Sequence, residues 1–297
     1  MPSKGSYTDL SARGVLEIAG ADRVAFLQGL VSNDVAKVTP TQAIHAALLT
    51  AQGRYLFDFF IVGLGDALYL DTEAARLPDL QKKLSMYKLR SKVTIADASS
   101  RFIVVVGFGG AEETAGAVKP FAGGVVYGDP RLAAMGVRFL LPRETGLDAI
   151  AQAGFTAADE AAYDLHRLTL GVPDGSRDLP VEKALLLESG FDELNGIDWK
   201  KGCYMGQELT ARTKYRALIK KRLMPVTIEG PLPAPGTPVT LDGAEAGEIH
   251  SGRDNRALAL LRLDAVEAAE KGAALLAGSA KIFAKKPDWA TFPPPAA

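Results

Sequence analysis

A single cysteine, Cys203, in 297 residues leaves an internal disulfide without a second thiol. One thiolate also falls short of the four that usually hold an iron–sulfur cluster, so the chain cannot carry one alone. Histidine is nearly as scarce. His45, His166 and His250 lie far apart with no zinc-type spacing, and no structural metal is expected. Neither sign of charge dominates: 34 Lys plus Arg face 35 Asp plus Glu, a formal net charge of −1. No global field therefore draws the chain to nucleic acid or anionic lipid, and any basic site must be local. No apolar run approaches the length of a bilayer span, and MPSKGSYTDLSARG has no apolar stretch behind Lys4. These absences predict no membrane partner and a cytosolic location, with an organelle matrix also compatible. Internal repeats and low-complexity segments are missing too.

The residues that are present, 47% hydrophobic and 23% charged, have the balance of a globular chain long enough for two or three compact units. GVLEIAG predicts a strand. A helix should follow, capped by Asp22, with Val24, Leu27 and Val31 at i, i+3 and i+7. HAALLTAQGRYLFDFFIVGLGDALYLDT alternates apolar runs with Gln52-Gly53, Gly63 and Gly65-Asp66, the punctuation of antiparallel strands. From Pro78 to Arg90 the period becomes helical, with Leu80, Leu84 and Tyr87 on one face. VTIAD, Arg101 to Val106, GGVVYGD and GVRFLLP predict further strands, and GFGGAEETAGAV a helix start. Such alternation over about one hundred residues suits a ferredoxin-like α+β unit. Near Ala157 another helix is expected, signalled by Thr156 with Asp159 three residues on and stopped by Gly171 and Pro173. Beyond Arg212, MPVTIEG, TPVTLDG, AGEIHSG and ALALLRL are short strands split by Gly, Pro and Asp, as in a small β-barrel. A frayed C-terminal tail should close the chain.

The most specific string is Lys201-Gly202-Cys203-Tyr204-Met205-Gly206-Gln207-Glu208, followed by Arg212. Two glycines flanking Cys203 and Tyr204 permit tight or left-handed backbone and close approach to a ligand. Lys200 and Lys201 beside the thiol would favour the thiolate if their charges lie nearby, which would make Cys203 reactive. A lone cysteine packed as a small hydrophobe is the bland alternative.

K-G-C-Y-x-G-Q-E resembles the signature of the YgfZ-type folate-binding iron–sulfur cluster assembly family, which includes a mitochondrial assembly factor. GADRVAFLQGLVSNDV around Asp22, Ala51-Gln52-Gly53-Arg54 with Asp58, and AGEIHSG with NRALALLRL extend the similarity along nearly the whole chain. That family is related to the aminomethyltransferase of glycine cleavage. The resemblance implies a three-domain aminomethyltransferase-like ring of α+β class, with a ferredoxin-like insertion, a C-terminal β-barrel and tetrahydrofolate, or another reduced folate, in a central channel. The expected parts are a discontinuous folate-binding domain over 1–48 and 156–213, the ferredoxin-like domain over 49–155, the barrel over 214–286 and a flexible tail over 287–297. Cys203 would carry the thiol chemistry, with Lys201, Tyr204, Gln207, Glu208 and Arg212 grouped around it on the folate-binding side.

Asp58 is the one carboxylate in the apolar run Tyr55 to Phe60, where a desolvated charge needs a partner or a raised pKa. The related aminomethyltransferases usually carry two adjacent acids in this block. Phe57 replaces the first here, which speaks against methylene transfer and leaves Asp58 as an implied folate contact. Glu188 matches the relatives' pterin-binding glutamate, and a carboxylate can accept two parallel N–H bonds from a pterin. Arg167 resembles a family arginine near the folate, although a lone helix arginine is more often solvated. Gly107-Phe108-Gly109-Gly110 lacks the third glycine of a dinucleotide loop, at Glu112. The basic run Lys214 to Arg222 could face RNA or a folate glutamate tail, or could be a solvated connection. Three functions follow. The chain supports iron–sulfur assembly or repair in client enzymes, or transfers a one-carbon unit, or affects tRNA modification directly or through an iron–sulfur enzyme.

Overall fold

The computed structural model describes residues 5–110, 112–215 and 219–292. Its contacts divide the chain into two units. The first comprises Met1–Ala51, Leu56–Tyr163 and Leu194–Gln207, and the second Gln52–Tyr55, Asp164–Glu193 and Glu208–Ala297.

Two sheets build the first unit. One has five strands in the order Ile44–Leu49, Tyr55–Leu64, Ala67–Glu73, Arg13–Ala19, Thr94–Asp97. Every residue of Ile44–Leu49 and the first eight of Tyr55–Leu64 are buried, which explains their unbroken apolar runs: both faces are covered. The boundary expected at 48/49 falls inside this sheet, because Ile44–Leu49 is the neighbour of Tyr55–Leu64 and Arg13–Ala19 pairs with Ala67–Glu73. Partners such as Ala19 with Ala67 and Arg13 with Glu73, 48 to 60 residues apart, carry no local signature of this.

The other sheet runs Thr156–Ala157, Ser6–Asp9, Phe102–Phe108, Val137–Pro142, Gly124–Gly128, Val118–Phe121. Ile103, Val105, Val137, Phe139 and Leu141 alternate along two adjacent antiparallel strands and so share one face, which Ile150 of the helix Gly146–Gln152 covers. Thr156 lies in a strand, not at a helix cap. Asp159 caps instead, its Oδ1 accepting from Ala162 N at 2.8 Å, and the helix runs Glu160–Leu170. Asp22 departs from expectation as well. Its carboxylate accepts from Lys92 N at 2.7 Å and makes no cap bond to the helix Arg23–Gln28. The described residues after Phe108 form turns and isolated bridges where a helix was expected, with Ala111 outside them.

A closed barrel dominates the second unit, in the order Lys221–Glu229, Arg256–Arg262, Ala244–Arg253, Pro238–Leu241, Leu275–Ala277, Ala280–Ala284. Its four leading strands are the four strings read from the sequence. Asp242 and Gly243, with φ of 51° and 82°, make the tight left-handed hairpin turn that Asp-Gly favours. Met224, Val226, Ile249, Leu261 and Ile282 are among its buried core, and the helix Leu263–Glu270 adds Ala265 and Val266. Gly171 ends the preceding helix with φ 74°, and a Cβ there would lie 2.8 Å from Pro225 Cδ, so glycine also permits close approach to a barrel strand. Residues 287–292 are packed, which corrects the tail expectation. Trp289 Nε1 donates to Leu170 O at 2.7 Å, and Glu193 Oε1 accepts from Thr291 and Phe292. Residues 293–297, and Arg216 to Leu218 of the basic run, lie outside the described residues.

Candidate functional site

In the first unit, the cysteine loop is anchored on either side of an exposed thiol. Cys203 is free and solvent-exposed, which removes the core-packing alternative. Gly202 and Gly206 take φ of 94° and 78°, the left-handed backbone that glycine makes cheap. Lys201 Nζ donates to Gln28 O at 2.7 Å, a carbonyl at the end of the helix Arg23–Gln28, and to Val31 O in the turn that follows it. Burial brings the Lys201 amine down to about 8, against the pull of Asp34 and Asp198. The lysine thus acts as a clamp beneath the loop; Lys200 is exposed beside it. Gln28 Nε2 reaches Lys201 O at 3.4 Å, Met205 N donates to Gly29 O at 3.2 Å, and Tyr204 is buried with its ring 5.2 Å from the Lys201 ammonium. Gln207 and Glu208 begin the helix Gln207–Tyr215 and Arg212 lies in its last turn; from Glu208 on the helix belongs to the second unit, and Glu208 and Arg212 are exposed. A cavity of about 520 Å3 in this unit is lined by Lys37, Asn195, Trp199 and Lys200 among others; of these four the sequence pointed to Lys200 alone, as a charge beside the thiol.

Asp58, the other first-unit candidate, is buried, with His45 Nε2 donating to its Oδ2 at 3.0 Å. Burial holds His45 below its ordinary pKa, although Asp58 opposes this. Around them Asp71 pairs with Arg13 and Arg138, Asp129 pairs with Arg131, and all three guanidiniums lie within 5.7 Å of the Phe60 ring centroid. This is an interior ion-pair network. Phe57 packs its ring against Arg76 at 4.3 Å, so the residue before Asp58 supplies no second carboxylate.

The second unit holds Glu188 and Arg167. Glu188 lies in the single turn Leu186–Ser189 and lines a cavity of about 410 Å3 with Lys183, Lys221, Glu248, His250 and Leu260. Burial pushes the Glu188 carboxyl up, against Lys221, Arg54 and Arg222. Arg167 is not solvated. It donates to Asp164 Oδ1, Asp178 Oδ2 and Ser251 Oγ, each at 2.7 Å, and although burial opposes its charge, Asp178, Asp174 and Asp164 keep its pKa raised.

Comparison with known proteins decides the family. Residues 220–292 match the family described as CAF17, C-terminal beta-barrel domain. The chain is 37% identical over 281 residues to the mitochondrial iron–sulfur cluster assembly factor IBA57 of Mus musculus, covering 87% of this chain and 78% of the relative. With the Homo sapiens protein of the same name it is 34% identical over 306 residues, covering 94% and 84%. The chain belongs to the IBA57 family of iron–sulfur cluster assembly factors.

The IBA57-family chain also shares the fold of glycine cleavage system aminomethyltransferase T from Bartonella henselae, with a TM-score of 0.73 at 14% identity over 95% of this chain and 85% of that one. Within that fold this chain has mixed α/β content and a closed six-stranded barrel. The structure adds to the IBA57-family chain one cavity residue that sequence reading passed over. His250 was set aside because no second histidine lies near it. Its available signal was the polar pair His250-Ser251 directly after Ile249 within a strand.

Proposed function

We propose that this chain binds a reduced folate in its second unit and supports iron–sulfur cluster assembly or repair through Cys203. The observation that carries the thiol half is an exposed cysteine on a loop pinned by Lys201, within a chain whose relatives are named for cluster assembly. A lone thiolate supplies one of the four ligands that a cluster usually takes, so the cluster is cargo shared with a partner or client protein. Folate is supported by Glu188. Its cavity has the volume of a small-molecule site, and N–H donors from a pterin would restore the hydrogen bonds that burial takes from the carboxylate. When bound, reduced folate supplies an electron-rich ring whose nitrogens carry one-carbon units. Glu188 would orient that ring by accepting its N–H bonds, and Lys221 at the same cavity suits an anionic group.

Glycine-cleavage transfer is disfavoured, because Phe57 is apolar and Asp58 is bonded to His45. Any tRNA effect is placed downstream, through an iron–sulfur modifying enzyme. The relatives' mitochondrial setting agrees with the organelle-matrix alternative for location, and both compartments suit a free thiol. Calorimetric titration with tetrahydrofolate tests the folate half. Wild type should bind, and Glu188→Ala should lose about 1–3 kcal/mol. Absence of heat with the wild type at saturating folate would remove folate from the reading.

A further inference from the structure

We propose that His250 is a second polar anchor of the Glu188 cavity, hydrogen-bonding through Nε2 to the heteroatom edge of a reduced pterin. This rests on the folate reading of the same cavity. The strand Ala244–Arg253 carries an irregular register between Ile249 and Gly252, where its pairing with Arg256–Arg262 shifts. Bulges of this kind re-aim side chains next to sites. Here the in/out alternation fails: Ile249, His250 and Ser251 are buried in succession. Ile249 faces the barrel core, and Ser251 is fixed twice, its N donating to Asp178 Oδ1 at 2.9 Å and its Oγ accepting from Arg167. His250 is left to line the cavity, 5% exposed.

Its Nε2 is shut off from solvent and has no hydrogen-bond partner among the described residues. Glu248 Oε1, at 3.9 Å, is beyond hydrogen-bonding distance and half exposed. A buried ring nitrogen without a partner costs stability, and such exceptions in a native interior call for a ligand or water to complete them. Glu188 offers acceptors only, whereas His250 Nε2 donates or accepts according to tautomer, so the pair can grip a heterocycle whose edge carries both kinds of group. A pterin has such an edge.

The chain has three histidines, so a long-range 1H–15N spectrum resolves each ring, with His250→Gln assigning the signal. Titration of the wild type with tetrahydrofolate, and separately with tetrahydropterin lacking the glutamate tail, should move the His250 Nε2 resonance while His45 holds still. His250→Leu should bind both about tenfold more weakly at a melting temperature no lower than that of the wild type, and His250→Gln should recover part of the loss. An Nε2 resonance unmoved at saturation, or already bonded to Glu248 without ligand, would overturn the assignment while sparing the folate reading. If neither probe binds the wild type, both fall together.

Discussion

Arg167→Met tests whether the helix arginine is a structural clamp or a folate contact. Its side chain is 3% exposed, and its partners Asp164 and Asp178 are 5% and 0% exposed, so the substitution leaves Asp178 as a buried, unpaired carboxylate. Removing one member of a buried pair costs about 3–5 kcal/mol. Asp178 keeps two donors, Asp174 N and Ser251 N, both at 2.9 Å, which places the expected loss near the lower bound, about 3 kcal/mol. A melting temperature about 6–12 °C lower corresponds to this for a unit of this size. Trp289 supplies a reporter, because it packs against Gly190 in the same unit, and a Trp199→Phe background leaves it as the remaining tryptophan. Urea unfolding followed by Trp289 fluorescence should show the loss, and Arg167→Met with Asp178→Asn together should cost less than the sum of the two. Destabilisation below about 1 kcal/mol, accompanied by lost folate binding, would refute the clamp and restore Arg167 as a ligand contact.

The same network fixes an acid response. Burial raises Asp164, but Arg167, Arg177 and Arg253 outweigh it and hold the carboxyl at about 2, below its ordinary 3.8. Its contribution is therefore whole above pH 3.8 and is lost as the pH falls toward 2; Arg177→Gln should weaken that acid dependence in unfolding measurements across this window. Lys201, brought down to about 8, should acylate with a half-point near pH 8 in native protein; mass spectrometry after pulsed labelling reads the site, and a half-point near the ordinary lysine value of about 10.4 would contradict its burial. Cys203 should alkylate without denaturant, and Cys203→Ser should keep stability and folate affinity but fail to restore iron–sulfur enzyme activity in cells lacking the protein. Full restoration would remove the thiol from the function.

What the sequence made legible is what short range determines. The barrel strands could be read because each is bounded by Gly, Pro or Asp and one turn is Asp-Gly. The helix Leu77–Lys88 could be read because Leu80 and Leu84 fall on one buried face. Thr156 and Asp159 both fit a capping pattern, and pairing of Thr156 with Ser6, 150 residues away, decided between them. Asp58 was rightly singled out as a charge needing a partner, but His45 could be matched to it only through sheet register. The Glu188 cavity joins residues near 180 with residues near 220, 248 and 260, and no local period announces such a meeting. His250 carried only the signal of a polar pair in a strand, and its meeting with Glu188 was hidden for the same reason.

The second unit is assembled from separated pieces, and that governs its birth on the ribosome. Tyr55 N donates to Ala184 O, Tyr55 O accepts from Glu182 N, and Arg54 reaches Lys183 O across 129 residues. At translation speeds of about 5–20 residues per second, the segment around Tyr55 waits about 6–26 s for those partners, and longer for the barrel. Neither unit is a contiguous stretch of message. A cut at 48/49 would therefore split the first unit and a cut at 213/214 the second, and functional dissection of this chain is better done by point substitution than by truncation.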